Sequence, residues 1–139
     1  MQPMARPAAR ALLTLVLCAL GACSSPNRGH WSGTFDGSVS GVVEFRINAR
    51  GTRLTGSLTG STRDGQPFAA EMEGKMRGEH FYATFEGTSR AGVLPVAFEG
   101  LMRGSLGEGA GSGDWTCELK VSRLHLEGTW EVEQVGIPR

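Results

Sequence analysis

The chain has 139 residues, which is the size of a single domain. Its 14 basic and 14 acidic residues balance, so the composition shows no basic footprint for nucleic acid. An apolar fraction of 40% is too high for a disordered chain, and the 21 glycines follow no G-x-y repeat, which excludes a collagen-like fold.

The N-terminal segment has the features of a targeting sequence. Residues 1–10 carry Arg6 and Arg10 and no acidic side chain, and residues 11–20 form a continuous apolar run. That run is too short to span a hydrocarbon core, which takes about 20 residues. A basic start followed by a short apolar run and small residues is typical of a secretory signal peptide. We therefore predict that residues 1–22 are a signal peptide.

The end of this segment carries a specific motif. Leu20-Gly21-Ala22-Cys23 resembles the lipobox of bacterial lipoproteins, which is a leucine, two small residues and a cysteine. The resemblance implies cleavage before Cys23, diacylation of its thiol and acylation of the new amino group. Several acyl chains on one residue anchor a protein firmly, whereas one chain anchors only marginally. The resemblance thus implies a lipid-anchored protein of the bacterial cell envelope.

The residues after the cysteine indicate in which membrane the protein is anchored and how far the domain lies from it. Ser24 stands where an aspartate tends to keep Gram-negative lipoproteins in the inner membrane, so the outer membrane, with the protein facing the periplasm, is favoured over the inner membrane as the alternative. Residues 23–29 then comprise the lipidated cysteine and a short polar tether. Six residues of tether reach at most about 20 Å, so the domain is expected close to the membrane surface.

From residue 30 onward, apolar and polar residues alternate. Val43, Phe45 and Ile47, for example, alternate with Glu44 and Arg46, which is typical of a half-buried β-strand. Compact turns that contain glycine separate the runs and favour antiparallel neighbours in sequence order. The pattern predicts eight or nine strands, because the first two can form one long bent strand. The predicted strands cover 30–37, 39–48, 52–62, 66–77, 80–89, 92–102, 104–112, 114–122 and 124–135.

Glycines on the apolar side of these strands favour a closed sheet. Glycine inside a strand marks a bend or a close backbone approach, and a small barrel needs such bends. We predict that residues 30–139 form an all-β domain, an antiparallel meander that closes into a lipocalin-like or avidin-like barrel, with a β-sandwich as the alternative. Trp31-Ser32-Gly33-Thr34-Phe35 and Gly128-Thr129-Trp130 resemble strands of avidins and lipocalins. The biotin-contacting pattern of avidins is not recognisable, so this resemblance implies no site residue.

Residues 104–113, GSLGEGAGSG, are the least strand-like part of the domain, and they fit either a flexible loop or a bulged edge strand. The paired glutamates Glu71 and Glu73 fall on the predicted solvent face. The nucleophile motifs G-x-S-x-G and S-x-x-K are absent, and His30, His80 and His125 lack the spacing of metal ligands. A transmembrane barrel is disfavoured because aromatic girdles are missing. We therefore expect no catalytic residue, no metal and no cofactor.

The apolar interior is the candidate binding region. Cys117 lies on the apolar side of its strand, which indicates a buried thiol rather than a reactive one. Met72, Phe85, Phe98 and Trp115 share that inward side and are our candidate contacts for a small apolar ligand. The alternative is a structural or protein-interaction lipoprotein with a fully packed core, whose outer face or residues 104–113 meet an envelope partner. A cavity in the barrel favours the first function, and a sealed core favours the second.

Overall fold

The computed structural model describes residues 28–91 and 94–135, and these residues form one closed antiparallel barrel of eight strands. Each strand pairs with the next one along the chain, and the last pairs with the first. The predicted meander and barrel are confirmed, and the sandwich alternative is not formed. The strands are β1 (Arg28–Gly37), β2 (Gly41–Arg50), β3 (Arg53–Thr62), β4 (Pro67–Arg77), β5 (His80–Ala91), β6 (Leu94–Leu106), β7 (Ala110–Leu119) and β8 (His125–Val135).

The side-chain alternation read from the sequence sets the inside and outside of the barrel. In β2, Val43, Phe45 and Ile47 are buried while Glu44 and Arg46 are exposed. Closure gives each described strand a paired neighbour on both sides, so none of them is an edge strand. The described ranges contain no helix that is long and apolar enough to cross a bilayer. The predicted signal peptide, the lipobox and Cys23 lie outside these ranges.

The described ranges contain eight strands, of which the first two are separate and do not form one long bent strand. The separate strand predicted over 104–112 is wrong. Residues 104–106 complete β6, and residues 110–112 begin β7. Between them the amide of Gly107 donates to the carbonyl of Ala110 at 2.8 Å, and Gly109 has a positive φ of 80° that favours glycine. The glycine-rich stretch conceals a tight turn between two long strands, because small residues give it no alternating pattern.

The turns divide the barrel into two ends. Residues 38–40, 63–66 and 120–124 connect strands at one end, which we call the mouth end. Residues 51–52, 78–79 and 107–109 connect strands at the other, which we call the closed end. Because the strand number is even, β1 begins and β8 finishes at the closed end.

The closed end is filled by large side chains. Trp31, Leu54 and Leu106 are fully buried there. Toward the middle of the barrel the rings of Phe45 and Trp130 pack edge to face, with centroids 5.3 Å apart. The indole N–H of Trp130 donates to a backbone carbonyl at 3.2 Å, which satisfies its polar atom inside the core.

Inward glycines make room for aromatic rings rather than for empty space. A Cβ built on Gly100 would lie 2.5 Å from the ring of Phe85, and one built on Gly60 would lie 2.6 Å from the ring of Phe68. Both distances are shorter than real Cβ contacts, so each ring occupies the space that a larger residue would need. The glycines therefore let aromatic side chains lie flat against neighbouring strands.

Candidate functional site

The mouth half of the barrel contains a cavity of about 340 Å³. Seven aromatic residues line it: Phe35, Phe45, Phe68, Phe85, Phe98, Trp115 and Trp130. The volume lies at the lower end of the range of small-molecule pockets, which runs from about 300 to 1,000 Å³. The fully packed core that the interaction hypothesis required is thus not observed in this half of the barrel.

Five of these rings, nearest the mouth end, form a connected wall. Phe35 packs edge to face against Phe68 at 5.6 Å and against Trp115 at 5.9 Å between ring centroids. Phe98 continues the wall, with its centroid 6.4 Å from Phe68 and 6.1 Å from Phe85. The indole N–H of Trp115 donates to a backbone carbonyl of β8 at 3.1 Å, which fixes the orientation of that ring. The cavity wall is therefore preorganised and presents carbon to its interior.

Three of the four predicted contacts line this cavity, namely Phe85, Phe98 and Trp115. Met72 lies opposite Phe85 in the strand register and is buried, but it does not reach the cavity. A role in ligand binding stays a prediction for all four. Sequence reasoning missed Phe35 as a cavity residue. Its inward parity is visible in the sequence, but nothing in the sequence shows that it lies in the half of the barrel that contains the cavity.

Polar groups cluster at one side of the cavity mouth. Thr62, Asp64 and Gln66 belong to the end of β3 and the turn that follows it, and Ser89 lies near the end of β5. Among the residues that line the described cavity, Asp64 alone carries a formal charge. The Ser89 hydroxyl donates to the carbonyl of Pro67 at 3.2 Å. The cavity thus combines an apolar interior with a polar lip.

The opposite side of the mouth is apolar and exposed. Leu94 at the start of β6 is 68% exposed, while Val121 and Leu124 in the turn after β7 are 87% and 52% exposed. The backbone amide of Lys120 donates to the carbonyl of Ala97 at 2.9 Å, which holds this turn against β6. Leu124 also lines the cavity, so apolar surface continues from the rim into the interior.

Cys117 forms part of the cavity wall as an uncharged thiol. Its side chain is 8% exposed, and burial raises its pKa from 9.0 to about 11. The thiol form therefore dominates at neutral pH, where it behaves as a small apolar group rather than a nucleophile. The buried position predicted from the strand parity is confirmed. Within the described ranges, no three His, Cys, Asp or Glu side chains are grouped so that they could hold a metal ion.

The outer face carries a row of glutamates in register. Glu71, Glu86, Glu99 and Glu118 stand directly opposite one another across β4 to β7, and the predicted exposure of Glu71 is confirmed. The ammonium of Lys120 lies 4.0 Å from Glu86 and 3.9 Å from Glu99. The row faces water on the side of the wall away from the cavity, so it does not contribute polar groups to the interior.

Comparisons with known proteins support the fold. No protein-family model matches the chain, and no curated protein matches it. The redesigned β-barrel mFAP1, solved bound to DFHBI, is similar with a TM-score of 0.51 and 14% identity over 76% of this chain and 94% of that chain. EF1p2_mFAP2b, also solved bound to DFHBI, is similar with a TM-score of 0.57 and 10% identity over 78% and 92%. At these identities the likeness shows a shared β-barrel fold.

Proposed function

We propose that this protein is a lipid-anchored barrel of the bacterial envelope that binds a small apolar ligand without transforming it. The observation that carries the proposal is the cavity of about 340 Å³ in the mouth half, which is lined by seven aromatic residues. Two barrels of similar fold were solved with the small molecule DFHBI bound, which shows that the architecture can accommodate such a ligand. The exposed apolar rim offers the ligand a route of entry.

The expected affinity follows from the number of ligand atoms that a cavity of this size can hold. Ligands with about 20 non-hydrogen atoms gain roughly 0.3 kcal/mol per atom, which gives about 6 kcal/mol in total. A binding free energy of that size corresponds to a dissociation constant of tens of micromolar, on the scale where about 8.2 kcal/mol is 1 μM. The aromatic wall is held by edge-to-face contacts, so little reorganisation opposes binding.

Ligand binding is tested by titrating the protein with Nile red, a neutral apolar dye whose fluorescence rises on transfer from water. We expect saturable binding to the wild type. Val96→Phe adds a ring at the half-buried wall of the cavity, so it should weaken dye binding at least tenfold. Val42→Phe makes the same change on the outer face, at a position 55% exposed, and should leave binding unchanged. Equal binding by the two variants, or none by the wild type, would contradict the proposal.

The anchor is proposed on the lipobox-like motif that ends at Cys23, five residues before β1 begins at Arg28. Cys23→Ala removes the thiol that would carry the acyl chains, so we expect either a soluble protein, which moves to the aqueous phase in detergent phase partitioning, or an uncleaved precursor, which is larger on a gel. Cys18→Ala changes the other cysteine of this segment and should partition like the wild type. Wild-type partitioning by a Cys23→Ala protein of mature size would rule out this anchor and leave the ligand proposal standing.

A further inference from the structure

We propose that the ligand is an amphiphile with a cationic amine head, and that the amine binds Asp64 at the mouth while the apolar part fills the aromatic cavity. This inference rests on the proposed function and specifies its ligand. It follows from the division of the site, in which carbon lines the interior and a carboxylate stands at the lip. A ligand that fits must match both parts.

The carboxylate is positioned by the turn that carries it. The hydroxyl of Thr62 donates to Asp64 and accepts from the amide of Gln66 at 3.1 Å. The amides of Thr62 and Gly65 donate to the carbonyls of Gln66 and Thr62, each at 2.9 Å. These bonds close the turn on itself and fix the carboxylate beside the cavity. A preordered acceptor loses less side-chain freedom when a ligand binds than a mobile one would.

The charge distribution at the mouth discriminates between ligand heads. None of the residues that line the described cavity is Lys, Arg or His. Arg63, next to Asp64, and Arg90, near the end of β5, are exposed at this end but do not line the cavity. In the turn after β7, Lys120 lies 3.9 Å from Glu99 and Arg123 contacts Glu118 at 3.4 Å, both on the outer face. A carboxylate head would therefore meet a like charge with no cation in the lining to offset it. An ammonium head gains a charge-assisted hydrogen bond to Asp64.

The test uses three probes with one apolar body and different heads: 2-naphthylmethylamine, 2-naphthylmethanol and 2-naphthoate. Each displaces Nile red from the folded domain at pH 7 and low salt. We expect the amine to bind at least tenfold more tightly than the carboxylate, with the alcohol between them. Asp64→Asn keeps the oxygen that accepts from Thr62 and removes the charge. In this variant the amine and the carboxylate should bind within threefold of each other, while the alcohol binds as before.

A matched control is available at the same end of the barrel. Asp36 is an exposed aspartate near the end of β1 that does not line the cavity, so Asp36→Asn should keep the wild-type preference for the amine. If Nile red binds but the three probes bind equally or the carboxylate binds best, the amine proposal is overturned while the ligand-binding function stands. The same holds if Asp64→Asn retains the preference. If Nile red does not bind to the wild type, both proposals fail.

Discussion

Replacing Gly100 by alanine tests whether the inward glycines of this barrel are structural necessities. A Cβ at Gly100 would lie less than 3.0 Å from the carbonyl oxygen of Thr116 on β7 and 2.5 Å from the ring of Phe85. Ordinary contacts begin at 3.4 Å, so the ring must retreat by about 1 Å and the neighbouring strand must also move. The strand is held in the ladder between β6 and β8, and the ring packs against Phe98 at 6.1 Å. We therefore expect a loss of stability.

The magnitude follows from two opposing effects. Inserting a methyl group into a packed core costs about 1–3 kcal/mol. Removing a glycine restricts the unfolded chain and returns about 0.4–1 kcal/mol. The net expectation for Gly100→Ala is a loss of about 1–2 kcal/mol in the free energy of unfolding, which lowers the melting temperature by about 5–10 °C for a domain of this size.

Urea denaturation monitored by tryptophan fluorescence measures this loss, which should appear as a lower midpoint with an unchanged slope. Gly107→Ala is the control, because its Cβ would meet only the movable carboxylate of Glu79 at 3.2–3.3 Å. Phe85→Leu combined with Gly100→Ala should cost less than the sum of the two single changes, because the smaller side chain clears the space. A Gly100→Ala domain as stable as the wild type, or additive effects in the double variant, would refute the steric explanation.

The remaining predictions concern the thiol and the outer glutamates. The pKa of Cys117 is raised to about 11 in the barrel, so the unfolded chain loses the thiol proton first and the free energy of unfolding should fall as pH rises from about 9 to 11. Urea titrations at pH 8 and 10.5 measure this fall, which should be smaller in Cys117→Val by at most about 2 kcal/mol. Equal pH dependence in the two proteins would contradict the burial of the thiol. Glu71→Lys replaces a like-charge pair with Glu86 by an attractive one. It should raise the free energy of unfolding by about 0.2–1 kcal/mol at low salt and by less at high salt, which appears as a higher urea midpoint. Glu73→Lys faces Thr84 instead and should change little, so equal effects of the two variants would show that the register pair does not matter.

The alternation of apolar and polar residues was sufficient to predict the barrel, because strand parity is a local property of the chain. It assigned the buried side correctly for Phe45 and Cys117, which lie at 1% and 8% exposure. The stretch 104–112 was misread because its glycines and serines carry no alternation, so only the register of β6 with β7 shows where the turn lies. The closure of the sheet was predicted from the inward glycines, because glycine allows the close contact between neighbouring strands that a small barrel needs.

The cavity could not be located from the sequence. An inward ring either fills the core or lines a cavity, depending on which side chains lie on the opposite strands of the barrel. Those strands are far away in the sequence, so a local pattern does not show them. Trp31 and Trp115 have the same parity, yet the first is fully buried at the closed end and the second lines the cavity. The polar lip was likewise hidden, because Thr62, Asp64 and Gln66 look like an ordinary turn until the strand register places them beside the aromatic wall.

The even number of strands has a consequence for how a ligand would travel. Both termini of the described barrel leave at the closed end, and the ten residues of β1 separate that end from the mouth. At about 3.4 Å per residue and a tilt of about 40°, the separation is roughly 25 Å. An anchor at Cys23 would therefore turn the mouth away from its own bilayer. A ligand would then be exchanged on the side of the protein that faces away from that bilayer, and a fusion after β8 would leave the entrance unobstructed.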